Sequence, residues 1–358
     1  MTSARIKLMQ GGLKTLHTLK VHTVMRPFSE GLGMIVTLHR VRPTAERIDA
    51  LGAYPEFDPN GLLEITPEFL DEALKALKLS GLSIVSFDEM IDAVRSTSLR
   101  KGRVAAITFD DGYIDNQQHA LPVLEAHNAP AMIYMPSDYP QGRGELWWVA
   151  IEQIIRRTES LLFPHVPEKG PQQTRTSEEK LSFYLELYWH LRAVDQDHQR
   201  SLVREMCADQ GFDMFDLCRQ LIVDEPGLKQ LHAHPLISIG AHTMSHRAIA
   251  ALSPDDALAE MSGGADWLEG ALGARPKHFA FPYGDSGSAG PRDFALAQQA
   301  GFESAVTTRK GMIYREHRDS LFGLPRVSLN GNFQDRRYLE VFASGAPFLL
   351  ANRLRKVA

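Results

Sequence analysis

Val104-Ala105-Ala106-Ile107-Thr108-Phe109-Asp110-Asp111-Gly112 decides the fold of this chain. The run Val104 to Phe109 has neither charge nor alternation, the pattern of a strand buried on both faces, as parallel sheets require. It stops on two adjacent carboxylates. Side by side, each raises the other's pKa, so the pair is costly unless a cation holds one of them. Gly112 permits the tight turn that lets both side chains face one cleft.

The same grammar extends in both directions. Gly33 to Leu38 is a short buried strand that ends at His39. Thr66-Pro67-Glu68 caps and opens a helix that Gly81 stops; Ser83 to Ser86 is a strand and Phe87 to Val94 a short helix. Beyond Gly112 come a helix over Asn116 to His127 and a strand over Ala131 to Met135. Later come a strand at Leu236 to Ile239, a helix at Pro254 to Leu272, a strand at His278 to Phe281, a helix at Arg292 to Ala300 and a strand at Ser304 to Thr307. Repeated βα units of this kind form a largely parallel sheet, either closed or open.

Arg42 to Leu63, rich in proline, glycine and charge, reads as a loop. Between Pro140 and His234 the alternation gives way to helices at Trp147 to Arg157 and Ser177 to Cys207, the second opened by a capping box at Thr176 and Glu179. A Pro/Gly/Gln-rich stretch, Pro164 to Thr174, separates them. The chain thus divides into an amphipathic N-terminal helix (1–30), a βα domain (31–330) interrupted by a helical insertion (140–234), and a basic C-terminal tail (331–358).

Of 358 residues 44% are hydrophobic, enough for a substantial core, and a net charge of -5 gives no global drive toward nucleic acid. The two cysteines, Cys207 and Cys218, lack the spacing of a disulfide framework or a thiolate zinc site. No stretch reaches the ~18 consecutive apolar residues of a membrane span, and Arg5, Lys7, Lys14, His17 and Lys20 interrupt the first 25 residues. A cytoplasmic enzyme is expected. Ile6, Met9, Leu13 and Leu16 share a helical face with cations around it. That face either docks on the domain or makes weak peripheral contact with anionic lipid.

Two further elements follow strands. In Gly240-Ala241-His242-Thr243-Met244-Ser245-His246, two histidines four apart are expected to project from one helical turn toward one ion. Asp111, His242 and His246 make a two-histidine, one-carboxylate set that leaves positions open for water and substrate. In Phe281-Pro282-Tyr283-Gly284-Asp285, Pro282 and Tyr283 are candidate substrate-binding residues, and the Tyr283 N–H is a candidate donor to a developing oxyanion.

Together these elements resemble the polysaccharide deacetylase family, the NodB-homology or carbohydrate esterase family four enzymes. TFDDG is similar to the first family motif, HTMSH to the second, H-(S/T)-x-x-H, and FPYG to much of the third; the likeness runs from Met34 to Asn330 apart from the insertion. It implies a distorted (β/α) barrel of about seven parallel strands. It also implies Asp111, His242 and His246 as metal ligands and Asp110 as catalytic base. The cofactor is expected to be a divalent metal, zinc first, with cobalt, nickel, manganese or iron as alternatives. The substrate is expected to be an acetylated amino-sugar oligo- or polysaccharide, exopolysaccharide included, or a lipid-linked precursor. The alternatives are another C–N hydrolase of the same scaffold, or a metal-binding sugar-recognition protein without activity.

The chain departs from the family pattern in three places. Ala280 stands where an arginine usually precedes the third-motif proline by two residues, and Arg326 in Leu324-Pro325-Arg326-Val327 is the candidate replacement. The Asp-x-x-Asp-Trp motif and the late Leu-x-His are not recognisable. His39, in Leu38-His39-Arg40-Val41, is the candidate general acid. Trp147 and Trp148 at the start of the insertion are candidates for sugar stacking or for the core.

Overall fold

The computed structural model describes residues 3–97, 102–163, 168 and 170–356. Eight strands pair in parallel: β1 (Gly33–Leu38), β2 (Leu82–Val85), β3 (Arg103–Asp110), β4 (Ala131–Met135), β5 (Ile237–Ala241), β6 (His278–Ala280), β7 (Ser304–Lys310) and β8 (Leu324–Ser328). Seven of them close into a barrel in the order β1-β3-β4-β5-β6-β7-β8, with β8 returning to β1. The eighth, β2, pairs with Arg103 to Ala106 of β3, whereas β4 pairs with Ile107 to Asp110; β1 runs along the whole of the other edge. That sharing is the distortion.

Alternation along each strand sorts the buried residues into two sets. Ile35, Ala106, Tyr134, Ala280, Val306 and Leu324 form one cluster and fill the barrel. Val36, Ala105, Ile107, Ile133, Phe279 and Ala305 belong to the other and face the helices. The interior cluster continues into Phe87, Met90, Ile91 and Val94 of the helix after β2, which therefore plugs the N-terminal end of the barrel. At the opposite end the inward positions pass to Thr37, Thr108, Asp110 and Arg326. The core ends where the chemistry begins.

The helices follow in chain order. α1 (Ser3–Thr18) and α2 (Val21–Ser29) are separated at Lys20, whose φ of 53° breaks the expected single helix. Leu13 is buried and Met9 and Leu16 pack beside it, so these three residues of the predicted apolar stripe dock on the domain. α3 (Thr44–Leu51) occupies part of the expected loop; it buries no residue, so it left no apolar periodicity to read. α4 (Pro67–Leu79) starts at the Thr66 cap, α5 (Phe87–Arg95) carries a capping box, and α6 (Leu121–His127) is shortened because Asn116–Ala120 winds more widely.

The insertion holds α7 (Trp147–Arg157), α8 (Ser177–Ala193), α9 (Gln196–Asp209), α10 (Met214–Leu221) and α11 (Glu225–Ala233). A single helix over Ser177 to Cys207 does not form, because Asp195 accepts the N–H groups of Asp197 and His198 and starts α9 afresh. Of the Pro164 to Thr174 stretch, residues 164–167 and 169 lie outside the described residues. α12 (Pro254–Leu272) and α13 (Pro291–Gln299) return to the barrel wall. The expected basic tail instead contains α14 (Arg336–Ala343) and α15 (Ala346–Ala351), with Tyr338, Leu339, Val341, Phe342, Phe348 and Leu349 buried. Exposed arginines at 336 and 337 masked a helical apolar stripe.

Candidate active site

The site is built where β3 ends. In a regular strand Asp110 and Asp111 would point to opposite faces. Asp110 keeps the inward direction, while Asp111 takes φ 72° and Gly112 φ 71°, turning the second carboxylate into the same cleft. Aspartate tolerates this left-handed conformation better than most residues. At Gly112 the positive φ favours glycine, and a Cβ there would lie 2.1 Å from the Met135 methyl carbon, so a larger residue would have to displace that side chain.

Inside the barrel, Arg326 reaches across from β8. Its Nη1 donates to Asp110 Oδ1 at 2.7 Å, its Nη2 to Oδ2 at 2.6 Å and its Nε to the Thr307 carbonyl at 2.9 Å. Both partners are almost fully buried, 0% and 3% exposed in their side chains. Burial alone would raise the Asp110 carboxyl, but the Arg326 guanidinium outweighs it and holds the group below its ordinary value. Ala280, on the interior at β6, is small enough to admit this long side chain from two strands away. The guanidinium that the third motif lacks thus enters from a different strand.

The two histidines do not sit on a helical turn. They flank a loop after β5 in which Thr243 (φ 67°) and His246 (φ 60°) are left-handed. Thr243 Oγ1 accepts the His246 N–H at 2.9 Å. The Glu260 carboxylate, from α12, accepts the N–H groups of Met244 and Ser245 at 3.1 and 3.0 Å and the Ser245 hydroxyl at 2.6 Å. α12 approaches closely only because position 264 is glycine, where a Cβ would stand 2.5 Å from the Thr243 carbonyl oxygen. Glu260 escaped the sequence reading because a helical glutamate ordinarily faces water.

Asp111 Oδ1 lies 3.6 Å from His242 Nε2 and 3.3 Å from His246 Nε2. All three residues are buried, and their ligand atoms lie within 4.8 Å of one another. His242 Nδ1 lies 2.7 Å from the Ala280 carbonyl; the carbonyl can only accept, so that nitrogen carries the proton and Nε2 presents a lone pair. Among the described residues, Asp111 Oδ1 and His246 Nδ1 have no hydrogen-bond partner. Burial would raise the Asp111 carboxyl, yet the neighbouring imidazoles, His246 foremost, hold it well below the usual range. A buried carboxylate facing two imidazole nitrogens fits a divalent cation.

A cavity of about 370 Å³ opens above these groups. His39 lines it, with Nε2 3.9 Å from Asp110 Oδ2, and so does Tyr283, whose φ is 61° and whose ring centroid is 5.1 Å from that of His246. The Tyr283 turn is fastened at three points. Thr308 Oγ1 donates to its carbonyl at 2.6 Å, Trp147 Nε1 to its hydroxyl at 2.9 Å, and the Arg192 guanidinium lies 3.6 Å from its ring centroid.

Two substrate-contact expectations change. Trp147 is 1% exposed and Pro282 is buried; neither lines the cavity, since one anchors Tyr283 and the other shapes its turn. Trp148 does line it, 5.1 Å from the His246 ring. The aromatic wall instead comes from α8, whose Tyr184, Tyr188, Trp189 and Arg192 face the cavity. Their spacing, 184-188-192 with 189 adjacent, places them on one helical face. That stripe was visible in the sequence, though nothing there linked it to the strand ends.

The family model described as polysaccharide deacetylase matches residues 98–160 and 205–305, which carry the DDG and HTMSH elements and the FPYG turn. These two segments form a polysaccharide deacetylase domain. The gap in the match, 161–204, falls within the helical insertion. Among solved structures, IcaB from Ammonifex degensii is 16% identical, covering 87% of this chain and 96% of its own, with a TM-score of 0.51. A de-N-acetylase from Aggregatibacter actinomycetemcomitans is 14% identical over 83% and 95% of the two chains, with a TM-score of 0.51. A polysaccharide deacetylase from Bacillus cereus is 15% identical over 87% and 68%, again at 0.51. At these identities the likeness is one of fold. No curated protein sequence matches the chain. That domain makes this chain an N-deacetylase, a hydrolase of C–N bonds outside peptides.

Proposed function

We propose that this deacetylase is metal-dependent and removes acetyl groups from an amino-sugar oligo- or polysaccharide. One observation carries the reading: Asp111, His242 and His246 converge beside a carboxylate that Arg326 keeps ionised, at the floor of an open cavity. The three converging side chains would hold the ion, zinc first by donor type; when bound, it supplies Lewis acidity to a water molecule and to the acetyl carbonyl. Asp110 accepts the proton of the attacking water, and the Tyr283 N–H stabilises the carbonyl oxygen as charge gathers there. His39, on the same wall, gives a proton to the departing amine.

The decisive assay is acetate release from N-acetylglucosamine oligomers with and without chelator. Release that stops on chelation and returns with added zinc supports the proposal; release indifferent to chelator refutes it. The wall on α8 makes a separate prediction. Trp189 is 62% exposed at the cavity rim, so Trp189→Ala should not lower the melting temperature. It should raise KM for oligomers by about three- to tenfold, as loss of one stacking contact implies, with kcat little changed. An unchanged KM would remove Trp189 from the sugar path.

A further inference from the structure

α2 leads directly into β1, so its C-terminal end lies at the barrel end opposite the catalytic cavity. It packs against α15 and α1, but among the described residues its other face is left exposed. Val24 and Phe28, four residues apart on that face, are each 73% exposed, and Leu19 just before the helix is 66% exposed. Leu354, immediately after α15, adds another large apolar side chain at 66%. Such residues scattered singly mean little. Here they lie on or beside two helices that touch, α2 and α15.

The charge around them is one-sided. Residues 1–29 contain Arg5, Lys7, Lys14, Lys20 and Arg26 and no carboxylate, in a chain whose net charge is -5. Arg353, Arg355 and Lys356 follow Leu350 with no acid among them. Elsewhere on the surface several exposed cations are matched, Lys75 to Asp71 and Lys229 to Glu225 for example, although Lys78, Arg157 and Lys310 are not. Lys7, Lys14, Lys20, Arg353 and Arg355 are exposed and, among the described residues, none has a carboxylate within salt-bridge distance.

We infer that this face is a docking surface for an anionic phospholipid bilayer. Protruding apolar side chains with exposed cations beside them in the chain, Lys20 next to Leu19 and Arg353 and Arg355 on either side of Leu354, match the two components of such a surface, acyl chains below and negative headgroups around. No helix among the described residues is long and apolar enough to cross a membrane, so the contact is peripheral. The surface differs from the stripe of Ile6, Met9, Leu13 and Leu16 that the sequence singles out, because three of those residues pack on the core. It also holds the catalytic cavity open toward water, at the far end of the barrel.

Sedimentation of the full chain with vesicles tests this. Mixed phosphatidylcholine–phosphatidylglycerol vesicles should carry the protein down, pure phosphatidylcholine vesicles should not, and added salt should weaken the binding. Val24→Ser with Phe28→Ser, and separately Lys20→Glu with Arg353→Glu, should each lower the partition coefficient by about tenfold or more. Melting temperature and acetate release from soluble oligomers should stay unchanged, since all four residues are exposed and remote from the cavity. Absence of sedimentation, or sedimentation that these variants do not alter, would overturn the inference. So would a dimer in light scattering that the same variants dissolve, which would assign the face to a second copy of the chain.

Discussion

Asp110→Asn is expected to lower kcat for acetate release by about 10²–10⁴-fold, the usual worth of a general base, while zinc still binds at one equivalent. Asp111→Asn is expected to abolish both. The two residues are adjacent and chemically identical, so only their surroundings separate them. Asp110 points into the barrel, where both oxygens are gripped by Arg326, and it faces no imidazole as closely as Asp111 does. Asp111, turned by its left-handed backbone, faces His242 and His246 at 3.6 and 3.3 Å. An amide at 110 keeps the size of the side chain and an acceptor for Arg326 but cannot take a proton. An amide at 111 removes the negative charge that a divalent ion needs beside two neutral imidazoles. Calorimetric zinc titration and single-turnover acetate release, run on both variants, read the two roles separately. Equal loss of zinc from both would show that Asp110 is a ligand rather than the base.

The contrast between these neighbours shows which parts of the site the sequence can carry. The buried run before Asp110, the motif order and the glycine at 112 are local signals, and they placed Asp110, Asp111, His242 and His246 at strand ends that meet in space. The helical projection expected for His242 and His246 failed because spacing alone cannot tell a helical turn from a loop with left-handed residues at 243 and 246. Glu260, Tyr188, Trp189 and Arg192 were missed for a different reason. Their roles depend on which helix lies over which strand end, a long-range fact that composition and periodicity do not encode. α14 was missed because its charged residues were more conspicuous than its apolar ones.

Arg326→Met is expected to cost about 3–5 kcal/mol of stability at neutral pH, because it leaves the buried Asp110 carboxylate without its counter-charge. Methionine fills most of the space, so the loss reports charge more than volume. The dependence on pH has a definite sign. In the wild type the Asp110 carboxyl is held below its ordinary value, so its stabilising contribution is complete above the unfolded-state value of about 4 and is lost as pH falls through the folded one. Without Arg326, burial dominates and pushes the same carboxyl up; the variant then gains stability on acidification as the group becomes neutral. The gap between the two proteins should therefore narrow as pH is lowered from neutrality toward about 5. Contributions from Asp111 and the histidines are common to both and cancel in the difference. The acid limb of the kcat/KM profile should move upward in step, since the base would be protonated at higher pH. Adding Asp110→Asn to Arg326→Met should restore much of the lost stability without restoring activity, because no buried charge is then left unpaired. Denaturant melts across pH on the chelated proteins measure the gap. A stability gap independent of pH, or a double variant no more stable than Arg326→Met, would mean that Arg326 supports the barrel without governing the charge of Asp110.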